Sequence, residues 1–94
     1  MSARALVQVK EVRDDGTIVQ MVVWALAQPV PPCLHRYKYR LFYGAPGECR
    51  IRYDNERGKG DHRHYGDMEA PYVFTTLERL LADFQHDVEH WSAP

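Results

Sequence analysis

The sequence predicts an α+β fold, an antiparallel meander sheet of four to five strands packed by one C-terminal helix. Three observations predict it. Two segments rich in Val, Leu, Ile and Trp are joined by Asp14-Asp15-Gly16, a second pair of segments alternates at period two, and the last segment places its apolar residues at helical spacing. A chain of 94 residues suits one hydrophobic core, so residues 1–94 are expected to form a single domain.

Residues 4–12 and 17–27 are expected to form the first hairpin. In its second strand both alternating sets are apolar: Val19, Met21, Val23 and Ala25 on one side, Ile18, Val22, Trp24 and Leu26 on the other. Such a strand is covered on both faces, or one face receives a partner or a second copy of the chain. Pro29-Val30-Pro31-Pro32 then ends the ladder, because proline donates no amide hydrogen. From His35 to Tyr43 the odd positions are His35, Tyr37, Tyr39, Leu41 and Tyr43, and the even positions are Arg36, Lys38, Arg40 and Phe42. After Gly44-Ala45-Pro46-Gly47-Glu48, Cys49, Ile51 and Tyr53 alternate with Arg50, Arg52 and Asp54. Setting Tyr43 opposite Cys49 pairs Leu41 with Ile51, Tyr39 with Tyr53 and Arg40 with Arg52. That register sorts both strands into an aromatic core face and a basic face, whereas a one-residue slip would mix them.

Asp54 to Glu69 shows neither period and carries three glycines, which predicts a long loop, extended around His62 to Tyr65. Loops of that length in a small domain are usually functional. A short strand is expected from Tyr72 to Phe74. A helix is expected from Thr76 to about Trp91, with Leu77, Leu80, Leu81, Phe84, Val88 and Trp91 on one stripe and a capping box from Thr75 to Glu78.

The net charge of −1 conceals a segregation. Eight of the twelve Lys/Arg residues lie between His35 and Tyr65 against four acidic ones, so a basic middle flanked by acidic ends attracts polyanions. The longest apolar run, Met21 to Ala27, is far short of the ~20 residues that span a bilayer, which argues against a membrane protein. No apolar leader with a small-residue cleavage site opens the sequence, so a cytoplasmic location is expected. Cys33 and Cys49 are too few for a disulfide framework and read as reduced packing residues.

The run from Tyr53 to His64 concentrates the groups needed to cleave RNA without a metal. That reaction takes a base for the 2′-hydroxyl proton, an acid for the leaving 5′-oxygen and cations for the phosphate. His62 and His64 fit the first two roles, Lys59, Arg57 and Arg63 the third, and Tyr53 can donate a hydrogen bond or stack a base. Gly58 and Gly60 would let the backbone approach the phosphate. Arg36, Lys38, Arg40, Arg50 and Arg52 form an electrostatic platform for nucleic acid, joined by Arg63. The competing explanation is a solvated loop and an ordinary polar strand face. Metal ligation is weighed at Asp61, His62 and His64 and at the one-turn pair His86 and His90, and a zinc site could join Cys33 or Cys49 to the loop histidines. The helical pair lies opposite the apolar stripe beside Asp83, Asp87 and Glu89, where a solvated face explains it, and spacing does not support the zinc site, so neither metal nor cofactor is expected.

Over nearly its whole length the chain resembles the TumE family of small bacterial toxin components, encoded beside a helix-turn-helix antitoxin. The resemblance is carried by Val22-Val23-Trp24, Pro29-Val30-Pro31, His35-Arg36-Tyr37-Lys38-Tyr39-Arg40-Leu41-Phe42-Tyr43, Tyr53-Asp54-Asn55-Glu56-Arg57-Gly58-Lys59-Gly60-Asp61-His62-Arg63-His64 and the terminal Leu/Phe helix. It implies the toxin of a type II toxin-antitoxin pair, neutralised by direct binding of the antitoxin protein. The mechanism stays open between a metal-independent ribonuclease, a toxin that binds RNA or protein without cleaving, and a non-toxic binding module.

Overall fold

A computed structural model describes residues 3–92, so the ends of the expected 1–94 span lie outside the described residues. The chain forms β1 (Arg4–Val12), β2 (Ile18–Ala25), β3 (Tyr37–Ala45), β4 (Glu48–Glu56), β5 (Gly60–Tyr65), β6 (Met68–Pro71) and α1 (Leu77–Glu89). The six strands pair antiparallel in sequence order, an α+β meander under one C-terminal helix. The first turn is closed by Asp15, whose carboxylate accepts hydrogen bonds from the Thr17 amide at 2.9 Å and hydroxyl at 2.6 Å.

Six strands replace the expected four to five because the segment read as a long loop is a hairpin and its continuation. Arg57-Gly58-Lys59 turns the chain between Glu56 and Gly60, and both glycines take φ of 81°, a left-handed conformation that side chains disfavour. The glycines attributed to phosphate approach therefore have a sufficient role in the turn. Gly66 and Asp67 turn the chain again into β6. Tyr72 to Phe74 lies outside the sheet and runs on to the helix.

The β3–β4 register also differs. Tyr43 faces Ile51, Leu41 faces Tyr53 and Arg40 faces Asp54, two positions from the expected pairing. A two-residue shift keeps every side chain on its face, so the hydrophobic pattern cannot distinguish the two registers. The turn decides it: Pro46-Gly47 closes the hairpin between Ala45 and Glu48, with Gly47 at φ 74°, and a bulge follows Tyr43.

The helix starts one residue later than the expected box, because Thr76, rather than Thr75, accepts a hydrogen bond from the Arg79 amide at 3.1 Å. Its Leu80, Phe84 and Val88 pack with Val19, Val23, Tyr39, Leu41, Ile51 and Tyr53 into the core. Phe84 meets Tyr53 edge to face at 5.8 Å between centroids. One helix covers one face of the sheet. Alternation therefore leaves Trp24, Lys38, Arg40, Arg52, Asp54, His62 and His64 on the open face. Among the described residues no helix is long and apolar enough to cross a membrane.

Candidate active site

The β4–β5 hairpin brings the chemistry together. Its register sets Asp54 beside His62 and Arg52 beside His64, and β6 adds Glu69 beside His64. The His62 and His64 rings stand 5.3 Å apart, nearly perpendicular. His62 Nε2 lies 2.5 Å from Asp54 Oδ1, off the line of a well-formed hydrogen bond, and 3.7 Å from Glu69 Oε2. Its Nδ1 lies 3.1 Å from the Gly60 carbonyl oxygen. Oxygen atoms thus face both ring nitrogens.

His64 has a mixed environment, with a cation and a carboxylate at one nitrogen. An Arg52 guanidinium nitrogen lies 2.9 Å from its Nε2, and a guanidinium can only donate, so this nitrogen carries the lone pair. Burial, then the charge of Arg52, lowers its pKa below the ordinary histidine value. Glu69 stands 3.1 Å from the same nitrogen and is tied to Lys59 at 2.6 Å. That bond holds Lys59 above and Glu69 below their ordinary values. Arg52 also contacts Asp54 at 3.2 Å. His64 is partly open to solvent, whereas the His62 side chain is 4% exposed and reaches a hollow of about 260 Å³ lined with Lys59 and Glu69.

The structure brings together His62, His64 and Lys59 of the sequence candidates for catalysis. Arg57 sits exposed in the adjoining turn. Tyr53 does not join them: its ring is in the core and its hydroxyl donates to Asp87 Oδ2 at 2.5 Å on the helix-facing side. Of the basic platform, Lys38, Arg40 and Arg52 share the open face. Arg50 is turned by the bulge toward Tyr43, donating to its hydroxyl at 3.3 Å, and Arg63 pairs with Asp87 at 3.0 Å under the helix. Arg36 is exposed ahead of β3. Sequence reasoning missed Asp54 and Glu69 as partners of the histidines. The signal was the period-two spacing of Arg52, Asp54 and of His62, His64 on either side of Arg57-Gly58-Lys59.

A second cluster lies on the helix-facing side. Asp61 accepts from Cys33 Sγ at 3.1 Å, His35 Nε2 at 2.8 Å and the Tyr39 hydroxyl at 2.6 Å. Burial pushes the Asp61 pKa up, but these three hydrogen bonds outweigh it and the net shift is downward. Burial, then Asp61, pushes the Cys33 thiol up. Cys49, by contrast, is exposed and is no packing residue.

Among the described residues two sets have metal-compatible spacing, Asp54-His62-His64 and Cys33-His35-Asp61. In the first, Arg52 already occupies Asp54 and the His64 lone pair. In the second, the Tyr37 amide donates to His35 Nδ1 at 3.2 Å, which leaves the proton, not a lone pair, on Nε2. Cys33 lies with Asp61 on the helix-facing side of the sheet, away from His62 and His64 on the open face, so the zinc alternative weighed for them is not assembled.

A family model described as Toxin TumE matches residues 2–92. No curated protein and no solved structure matches the chain.

Proposed function

The chain belongs to the TumE toxin family, and from that premise we propose that this toxin is a metal-independent ribonuclease acting at the open face of β4 and β5. The observation that carries the reading is the contrast between two adjacent histidines, one facing acceptors at both nitrogens and one held neutral beside Arg52. Adjacent imidazoles with different hydrogen-bonding partners are suited to divide the acid and base roles between them. His64 Nε2 takes the proton from the 2′-hydroxyl, and the oxygen attacks phosphorus to form a 2′,3′-cyclic phosphate. The P–O5′ bond breaks, and His62 supplies the proton to the leaving 5′-oxygen. Arg52 and Lys59 balance the charge that builds on the phosphoryl oxygens. Asp54 and Glu69 position the rings and the lysine. The toxin's partner is an antitoxin, taken here as a helix-turn-helix protein that neutralises it by covering this face. A cytoplasmic site of action follows from an RNA target.

The test is RNA cleavage by the purified chain with EDTA present. Cleavage should persist, and His64→Ala and His62→Ala should each lower it by at least about 100-fold. Growth arrest on expression without the antitoxin should disappear with it. Undiminished cleavage by the His62→Ala/His64→Ala double variant would sink the mechanism, and loss of activity in EDTA would point to a metal.

A further inference from the structure

The open face of β2 poses a question that the acid–base cluster does not answer. Val22 and Trp24 project from the solvent side of a central strand, where no element of the described chain covers them, and both remain half-buried among their neighbours. They form the floor of a groove of about 420 Å³ whose walls include three cations, Lys38, Arg40 and Arg52, and two carboxylates, Asp54 and Glu56. Trp24 is the direct cross-strand neighbour of Lys38. One row of the sheet runs from Val22 through Arg40 and Asp54 to His62. Arg52 and Asp54 therefore belong to both the groove and the acid–base cluster, and the one leads into the other. With strands about 4.8 Å apart, β2 and β5 are separated by three spacings, about 14 Å, and Trp24 lies two residues along β2 from the row that ends at His62.

We propose that Trp24 is a base-stacking subsite that receives an unpaired nucleotide of single-stranded RNA, with Lys38, Arg40 and Arg52 guiding the phosphates from it toward His64. The inference rests on the ribonuclease reading for its substrate class and adds the strand's path and its single-stranded character. An aromatic floor with cations on its walls matches the alternation of base and phosphate. A base inside a duplex cannot lie on an indole, so the subsite selects unpaired RNA. A second copy of this chain is a poorer occupant, because a two-fold contact would set the same cations against themselves. The hollow has the volume of a small-ligand pocket rather than the flat extent of a protein interface.

The test titrates the full chain with a fluorescently labelled 2′-O-methyl single-stranded oligonucleotide, which lacks the attacking hydroxyl and stays intact whether or not the protein cleaves RNA. Trp24→Leu keeps apolar volume on the sheet but removes the aromatic face. It should weaken single-strand binding about 5- to 150-fold, the fold-change expected for loss of one stacked base. Trp24→Phe should retain most of the affinity, and a duplex of equal length should bind both variants as it binds the wild type. In a Trp91→Phe background, Trp24 emission should be quenched as the single strand saturates.

Wild-type affinity in Trp24→Leu, an equal loss on duplex, or unchanged Trp24 emission at saturation would each overturn the subsite. So would a shift of Trp24 emission that follows self-association by light scattering, or that only the antitoxin produces. If the position-24 variants fail to melt cooperatively, the quenching measurement decides alone. Failure to cleave unmodified RNA would remove the ribonuclease reading and leave the subsite standing, whereas an indifferent Trp24 with cleavage intact would remove only the subsite.

Discussion

At the scale of the residue, neighbours decide what identical side chains do. His62 and His64 are two positions apart on one strand face, yet His62 faces only carbonyl and carboxylate oxygens, whereas His64 has a guanidinium as well as the Glu69 carboxylate at its Nε2. Burial is the larger cause of the lowered His64 pKa and Arg52 the next. Arg52→Gln should therefore raise that pKa part of the way back toward 6.5, and the acidic limb of the kcat/KM profile should move to higher pH. A limb that stays in place as total activity falls would confine Arg52 to phosphate binding. The same shift has a stability consequence. The unfolded chain takes up this proton more readily, so its contribution is complete above pH 6.5 and declines as pH falls toward the lower folded value. Asp61 offers a second test, since three donors converge on it. Asp61→Asn turns an acceptor oxygen into a donor among donors and should cost about 2–3 kcal/mol in urea denaturation. Its ionised form is stabilised on folding, so that contribution is complete above pH 3.8 and is lost as pH falls through the lower folded value.

At the scale of the element, caps and turns set positions that periodicity leaves open. The Leu80, Phe84 and Val88 stripe located the helix, but two adjacent threonines offered two starts. Thr76→Ala should destabilise the fold by about 1 kcal/mol, whereas Thr75→Ala should stay within about 0.5 kcal/mol, read as the melting-temperature difference between the two variants. The β3–β4 alternation was legible and gave the right faces, but a shift of two preserves them, and the Pro46-Gly47 turn chose the register. The β4–β5 hairpin was hidden for a related reason. Polar side chains at Asp54, Asn55, Asp61, His62 and His64 erase the hydrophobic alternation by which a strand is recognised. Those residues are buried or half-buried because they find polar partners on other strands, Asp54 at His62, Asn55 at Tyr37 and Tyr39, and Asp61 at Tyr39, which a one-dimensional pattern does not display.

At the scale of the whole molecule, one helix on a six-stranded sheet leaves one face without cover among the described residues, and the polar cluster and Trp24 groove share it. The platform expected from charge alone is thereby divided. Arg40 lies on the groove wall, whereas Arg36 lies beside Phe74 and Thr76 at the helix end of the sheet. Arg40→Ser should flatten the dependence of log affinity on log salt by about 0.7 for a single-stranded oligonucleotide, and Arg36→Ser should leave the slope unchanged. Equal slopes in the two variants would return the binding surface to undirected charge. The doubly apolar pattern of β2 was also legible in the sequence: Val23 is fully buried under the helix, while Val22 and Trp24 face the open side.

The sequence by itself determined the α+β class, the antiparallel meander, the amphipathic C-terminal helix and the family, because each is written in local periodicity or in an unbroken motif such as Tyr53 to His64. Tertiary structure alone decided that Arg50 and Arg63 leave the open face and that Asp54 and Glu69 join the histidines there. The physical reason is that a site on a sheet is assembled across strands. Its members are brought side by side by register, and register depends on turns and bulges rather than on the hydrophobic pattern of either strand.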